Sequence, residues 1–132
     1  MSDETVDRHM VLVADDDHDL VRLVARRLTK AGFDVVTATD GAEALEAARG
    51  TLPDLVVLDV MMPRLTGVEV MRELRADAAT VSIPIILVSA SLPPNPANDA
   101  AFAGADGYIQ KPFGTTELPE RVRDVLQRTT AK

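Results

Sequence analysis

The spacing of apolar residues changes repeatedly along the chain. Short runs rich in β-branched residues alternate with longer segments in which apolar residues recur every three or four positions. The first pattern is typical of strands, and the second is typical of helices that bury one face. The predicted strands are Met10–Ala14, Phe33–Val36, Leu55–Leu58, Ile85–Val88 and Gly107–Gln110.

Two helices are predicted from their apolar stripes. Apolar residues from Leu20 to Leu28 follow helical spacing, and Gly32 marks the point near which that helix should end. A similar stripe from Leu118 to Leu126 predicts the last helix. Pro119 is compatible with that helix because it falls in the first turn.

Two further helices are predicted from their first turns. Asp40 is followed three residues later by Glu43, and Thr66 is followed in the same way by Glu69. This spacing is typical of a capping box, in which two side chains satisfy the free amides of a helix start. The predicted helices span 42–49 and 68–76.

A proline-rich segment, SLPPNPAN at 91–98, follows the fourth strand. Pro93, Pro94 and Pro96 are incompatible with an ordinary helix start at this point. We therefore expect a short fourth helix that begins near Ala97 and ends at Gly104.

Alternation of strand and helix predicts an α/β fold, with a parallel sheet between two layers of helices. The third and fourth strands are apolar at consecutive positions, as expected of strands buried on both faces. The expected solution at this length is a doubly wound, five-stranded, flavodoxin-like sheet of order 2-1-3-4-5. Ligands of such folds bind at the carboxyl ends of the strands, beside the point between the first and third strands.

Composition narrows the function classes. The chain has 132 residues, of which 46% are hydrophobic, and a net charge of −7. This length predicts one domain over 10–128, with an extension at 1–9 and a tail at 129–132. The acidic balance argues against direct nucleic-acid binding. Without cysteines, a membrane-length apolar run or an apolar start, the chain is expected to be cytoplasmic, with no membrane insertion.

Acidic residues follow two strands that the predicted order makes neighbours. Asp15 and Asp16 come directly after the first strand, and Asp59 comes directly after the third. Like charges so close together are unfavourable unless they share a cation or a proton. Carboxylate oxygens with open positions suit Mg²⁺, and an ionised carboxylate beside the metal is a competent nucleophile toward phosphorus.

Polar residues also end the fourth and fifth strands. Ser89 offers a hydroxyl that can donate to an oxyanion, and Lys111 offers a fixed positive charge. With the carboxylates, these side chains predict a site that binds a phosphoryl group.

The chain resembles the response-regulator receiver domain, which is the phospho-accepting module of two-component signalling. The resemblance extends from Met10 to Arg128. It rests on four motifs in order: ADDD at 14–17, PDLVVLDVMMPRLTG at 53–67, VSA at 88–90 and AGADGYIQKPF at 103–113.

The resemblance implies a role for each matching residue. Asp59 is the expected phosphorylation site. Asp15 and Asp16 are expected to hold Mg²⁺ together with Asp59 and the backbone carbonyl of Met61, with Mn²⁺ as a second candidate.

The same resemblance assigns residues near the phosphoryl group. Ser89 and Lys111 are expected to contact it, and Tyr108 resembles a switch aromatic that rotates inward as Ser89 moves toward the phosphate. The peptide bond before Pro112 is expected to be cis, a conformation that is accessible chiefly to proline.

The implied partners are a sensor histidine kinase or histidine phosphotransfer protein as donor and a downstream target protein. We expect no enzymatic activity beyond self-phosphorylation and dephosphorylation, and a monomer or weak dimer. A stand-alone receiver is favoured over one cut from a longer protein.

Three alternatives remain. One is an unphosphorylated interaction module on the same fold. Another is a phosphatase whose nucleophile is Asp15 in the pair Asp15-x-Asp17, although Asp19 stands where such enzymes usually carry Thr or Val. A calcium loop starting at Asp15 is the third, and it lacks the required glycine at Leu20.

Overall fold

Five parallel strands form one sheet with helices on both faces in the computed structural model, which describes residues 8–130. The strands are β1 (Met10–Ala14), β2 (Asp34–Ala38), β3 (Leu55–Asp59), β4 (Ile85–Ser89) and β5 (Gly107–Gln110). The α-helices are α1 (His18–Lys30), α2 (Gly41–Thr51), α3 (Gly67–Arg75) and α4 (Glu117–Thr130).

The strand order is β2-β1-β3-β4-β5, which confirms the predicted topology. Ala14 of β1 is paired with Leu58 of β3, so these two strands end side by side. Asp59 is paired with Val88 of β4, which brings a third strand end to the same edge. The sheet therefore collects the ends of β1, β3 and β4 in one region.

The sheet buries both of its faces. Val56 and Leu58 of β3 lie in a core cluster with α2 and α3, whereas Leu55 and Val57 lie in a second cluster with α1 and α4. Every residue of β3 and β4 is buried, as their consecutive apolar residues predicted.

Strand β2 begins one residue later than predicted and runs two residues further. Phe33 is buried, but its N–H donates to Leu28 O at 3.1 Å, so it closes the turn after α1. The N–H of Asp34 donates to His9 O at 3.0 Å and starts the pairing with β1.

The predicted fourth helix is wrong. Residues 97–104 do not form an α-helix, and a single 3₁₀ turn at Pro96–Asn98 is followed by turns. Asp99 has extended backbone (φ −84°, ψ 129°), and its Oδ1 accepts from Ala101 N–H at 2.9 Å, a local bond that competes with a helical ladder. Ala103 N–H then closes only one turn, on Asp99 O at 2.8 Å. The connection from β4 to β5 is therefore mostly irregular.

The two predicted capping boxes have different outcomes. In α3 the box is complete, since Glu69 N–H donates to Thr66 Oγ1 at 3.1 Å and Thr66 N–H donates to Glu69 Oε1 at 2.8 Å. In α2, Asp40 caps the helix by accepting from Glu43 N–H, but Glu43 Oε1 accepts from the N–H and hydroxyl of Thr39. The second half of that predicted box is wrong because Thr39 offers two donors to the same carboxylate.

Loss of the α3 cap is expected to lower stability. Thr66→Ala removes the acceptor for Glu69 N–H and should reduce the free energy of unfolding by about 1 kcal/mol, measured by urea denaturation. Thr29→Ala is the control, since Thr29 is exposed on α1 and alanine is the better helix former there. Equal stability of the two variants would contradict this role of Thr66.

Parts of the predicted domain boundaries lie outside the described residues. Of the predicted extension at 1–9, only residues 8 and 9 are described, so the chain start at which no targeting segment was predicted lies outside the structure's description. Residues 131 and 132 of the predicted tail also lie outside it. Within 8–130, no helix has both the length and the apolar character that crossing a membrane requires.

Candidate functional site

Three carboxylates meet where β1 and β3 end. Carboxylate oxygens of Asp15, Asp16 and Asp59 lie within 4.8 Å of one another. Asp15 and Asp59 are 5% and 4% exposed, whereas Asp16 is exposed. Asp15 and Asp16 follow the buried strand β1, and Asp59 is the last residue of β3, so the apolar residues before them fix the backbone from which the carboxylates project. The predicted convergence of these residues is confirmed.

Lys111 places its ammonium group between the two buried carboxylates. Its Nζ lies 2.8 Å from Asp15 Oδ2 and 3.2 Å from Asp59 Oδ1. Lys111 follows β5 and is anchored through its own N–H, which donates to Ser89 O at 2.8 Å. One positive charge thus faces three negative ones, so the cluster retains an excess of negative charge.

The site shifts the titration of its own groups. Burial raises the pKa of Asp59 to about 6, and the charge of Asp15 adds to this rise while Lys111 opposes it. Burial lowers the pKa of Lys111, but hydrogen bonding to Asp15 and the charge of Asp59 outweigh that effect and raise it overall. Lys111 is therefore cationic at neutral pH, when most Asp59 carboxyls are ionised.

Asp17 and Asp19 do not belong to the carboxylate cluster. Asp17 caps α1, because its Oδ1 accepts from the N–H groups of Asp19 and Leu20, each at 3.1 Å. Asp19 is exposed and pairs with Arg22 at 3.0 Å. Neither Asp17 nor Asp19 lies in the cluster of carboxylates, which argues against the phosphatase and calcium-loop alternatives, since both place Asp17 at the site.

Asp15 is also held from the α1 side of the site. The N–H of Asp17 donates to Asp15 Oδ1 at 3.0 Å, while the other carboxylate oxygen pairs with Lys111. Both oxygens of this buried side chain therefore have partners.

Ser89 lies at the end of β4, one residue beyond the partner of Asp59 in the sheet. It is 2% exposed, and its Oγ accepts a hydrogen bond from Ser91 N–H at 3.0 Å. Among the described residues, no acceptor of its hydroxyl proton is recorded. The hydroxyl therefore remains able to donate.

The structure also locates the residues that only the resemblance singled out. Tyr108 is half-buried, and its hydroxyl donates to Phe102 O at 2.7 Å. The side chain of Met61 is 70% exposed in the loop after β3. The Lys111–Pro112 peptide bond is cis, as expected.

Two residues that support the site were not singled out from the sequence. Gln110 hydrogen-bonds to the loop after Ser89, and its polar side chain at a strand end was an available signal. Gly67 packs against the backbone of Asp59. A glycine at the first position of a capped helix, where it is a poor helix former, was the signal for this close approach.

Comparison with known proteins finds matches over most of this chain. A family model described as the response regulator receiver domain matches residues 11–123. The chain is 40% identical over 126 residues to the alkaline phosphatase synthesis transcriptional regulatory protein PhoP of Bacillus subtilis (strain 168). That match covers 90% of this chain and 49% of PhoP, so the chain spans about half the length of this curated relative.

Solved structures agree with the fold. The receiver domain of the Francisella response regulator 1452 has a TM-score of 0.84 and 33% identity, covering 93% of this chain and 100% of that one. TrrA of Thermotoga maritima, solved in complex with Mg²⁺–BeF, has a TM-score of 0.78 and 33% identity, covering 89% and 98%. With the family match over 11–123, these similarities lead to one conclusion: the chain belongs to the response regulator receiver domain family.

Proposed function

We propose that this receiver domain accepts a phosphoryl group on Asp59 in a Mg²⁺-dependent reaction and thereby switches its contacts with other proteins. The observation that carries the proposal is the buried Asp59 carboxylate, held 3.2 Å from the Lys111 ammonium and beside two further carboxylates.

Asp59 is suited to act as the nucleophile. Its pKa of about 6 leaves it mostly ionised at pH 7, so no general base is needed. A carboxylate oxygen of Asp59 forms the new bond to phosphorus as the phosphorus–nitrogen bond of a phosphohistidine donor breaks. The electron pair of the broken bond remains on the imidazole nitrogen of the donor.

The residues present fit a hard divalent cation. Three carboxylates compensated by one ammonium leave negative charge in a partly buried site, and oxygen ligands with open positions match Mg²⁺. Asp15, Asp16 and Asp59 would hold the ion together with the Met61 carbonyl, and Mn²⁺ is the second candidate. Such an ion would neutralise negative charge on the phosphoryl oxygens.

Lys111 and Ser89 are proposed to bind the phosphoryl oxygens. Lys111 supplies a positive charge that its pairing with Asp15 keeps in position, and Ser89 supplies a hydroxyl donor that has no recorded acceptor within 8–130. Both groups stabilise negative charge as it shifts during transfer.

Phosphorylation would add a charge of about −1.5 to −2 to this buried site. The proposed readout is movement of Ser89 toward the phosphate and an inward rotation of Tyr108, whose hydroxyl must then leave Phe102 O. TrrA, a relative at 33% identity solved with Mg²⁺–BeF, supports a shared chemistry.

The proposed partners follow from this chemistry. The donor is a histidine of a sensor kinase or phosphotransfer protein, and the reader is a protein that recognises the switched surface. We propose that both meet the domain in the cytoplasm and that the domain catalyses only reactions of its own phosphoryl group.

The test is intact-mass measurement after incubation with phosphoramidate or acetyl phosphate, with and without Mg²⁺. Wild type should gain one phosphoryl group only when Mg²⁺ is present, and Asp59→Asn should gain none. Asp124→Asn is the matched control, because Asp124 is an exposed carboxylate on α4, and it should behave as wild type.

If the wild-type protein gains no phosphoryl group, it is next titrated with beryllofluoride, which tests binding at the site without a phosphodonor. Failure to bind beryllofluoride as well would overturn the proposal and favour the unphosphorylated interaction module.

A further inference from the structure

Gln110 holds the loop that follows Ser89. It is the last residue of β5 and is paired with Ser89 in the sheet. Its Nε2 donates to Ala90 O at 2.6 Å, and its Oε1 accepts from Leu92 N–H at 3.3 Å. Both ends of one amide group therefore bind the backbone of the same loop, much as a further pair of sheet hydrogen bonds would.

The backbone between those two bonds carries the contact to Ser89. Ser91 lies between Ala90 and Leu92, and its N–H donates to Ser89 Oγ at 3.0 Å. A Ser hydroxyl that accepts from the N–H two residues later stabilises a local turn only weakly. Because Gln110 fixes the residues on both sides of Ser91, it also fixes the direction from which Ser91 N–H approaches Ser89.

The neighbouring backbone completes this arrangement. Lys111 N–H donates to Ser89 O at 2.8 Å, so the backbone of Ser89 is bonded to the residue that follows Gln110. The irregular connection after Leu92 has no α-helix to hold this loop from the other side. Gln110 thus acts where the regular structure ends.

We propose that Gln110 is a positioning residue, which through the Ala90–Leu92 loop sets the orientation from which the Ser89 hydroxyl moves to bind the phosphoryl group. The inference rests on the proposed function of Ser89. The side-chain hydrogen bonds of Gln110 go to backbone atoms of 90, 92 and 111 and to none of the three carboxylates. The bond to 111 reaches only the backbone carbonyl of Lys111, at 3.3 Å, so the loss of Gln110 is expected to act mainly on the loop after Ser89 and to leave the metal-binding carboxylates in place.

The test compares wild type with Gln110→Met, which keeps a side chain of similar length but has no amide. Gln110 is exposed, so the substitution opens no buried cavity. Gln127→Met is the matched control, because Gln127 is exposed on α4 and lies away from this loop in the fold.

The first measurement is amide hydrogen exchange by NMR without any phosphodonor. In Gln110→Met, the amides of Ser91 and Leu92 should both exchange roughly three- to tenfold faster, which corresponds to the loss of one net hydrogen bond. The control should leave both unchanged. Unchanged exchange at Leu92 would show that the Gln110 side chain does not hold the loop after Ser89. Faster exchange at Leu92 alone would show that Gln110 does not act on Ser91 and, through it, on Ser89.

The second measurement is the rate of phosphorylation by acetyl phosphate as Mg²⁺ is varied. In Gln110→Met the maximal rate should fall on the order of tenfold, because a reacting group that loses its position loses rate. The Mg²⁺ concentration for half-maximal rate should stay the same, which a general loss of structure would not preserve.

An unchanged maximal rate would overturn the positioning role, and so would a shift in Mg²⁺ dependence without a change in the maximal rate. If wild type is neither phosphorylated nor able to bind beryllofluoride, the proposed function fails, and the exchange measurement alone then decides whether Gln110 positions Ser89.

Discussion

Asp59→Asn is expected to raise the free energy of unfolding by about 2 to 3 kcal/mol at pH 7.5 in the absence of divalent cations. Burial and the charge of Asp15 raise the pKa of Asp59 to about 6 from its ordinary value of 3.8. A carboxyl whose pKa is higher in the folded state than in the unfolded state binds more protons when folded. Its ionisation therefore destabilises the fold as pH rises through the window from about 4 to about 6.

Asparagine has nearly the same shape and carries no charge, so it removes this cost. Urea denaturation at pH 7.5 and at pH 3.5 checks the sign, because the advantage of the variant should become small where Asp59 is mostly protonated in both the folded and the unfolded wild type. Asp124→Asn, which removes an exposed carboxylate, should show no such gain. If Asp59→Asn were less stable than wild type at pH 7.5, the pairing of Asp59 with Lys111 would outweigh burial and repulsion.

Gly67→Ala is expected to lower the free energy of unfolding by about 3 kcal/mol, near the upper end of the usual cost of overpacking. A Cβ at this position would overlap the carbonyl oxygen of Asp59 and lie 3.0 Å from its carbonyl carbon. These are backbone atoms at the end of β3 and cannot rotate away. Gly67 N–H also donates to Val60 O at 2.9 Å, so moving α3 outward weakens a second contact.

Gly50→Ala is the matched control, because Gly50 lies in α2 and a Cβ there would meet nothing within 4 Å. It should gain about 0.5 to 1 kcal/mol, since alanine is the better helix former. Urea denaturation of both variants gives opposite signs if the close approach at Gly67 is real. A Gly67→Ala protein as stable as wild type would contradict it. The proposed phosphorylation should fall in Gly67→Ala alone, because the substitution displaces Asp59.

The sequence alone predicted most strands and helices because the patterns that specify them, such as apolar runs and capping residues, each extend over only a few positions. The consecutive apolar residues of β3 and β4 could be satisfied only by burial on both faces, and that requirement predicts a parallel sheet between helices. Thr66 and Glu69 satisfy each other within one turn, so the start of α3 was predictable. The sequence also predicted the cluster of Asp15, Asp16 and Asp59, because the predicted strand order makes β1 and β3 neighbours.

Where local signals competed, the sequence did not decide the outcome. The Glu43 carboxylate could accept from the N–H of Asp40 or from Thr39. In the structure it accepts from the N–H and the hydroxyl of Thr39. A short helix was predicted to follow the prolines after β4, but the backbone there forms only a 3₁₀ turn and further single turns.

Only the tertiary structure decided the contacts between residues far apart in the chain. Lys111 lies 96 positions from Asp15, and no local pattern specifies that its ammonium sits between two buried carboxylates. The packed sheet likewise brings together the atoms behind three other features. These are the raised pKa of Asp59, the close approach of Gly67 to the Asp59 backbone, and the hydrogen bonds of Gln110 to the loop after Ser89. The sequence by itself thus determined the order of the elements and the residue types at the strand ends. Distances, burial and charge balance depend on how all the strands pack at once, and the fold alone decided them.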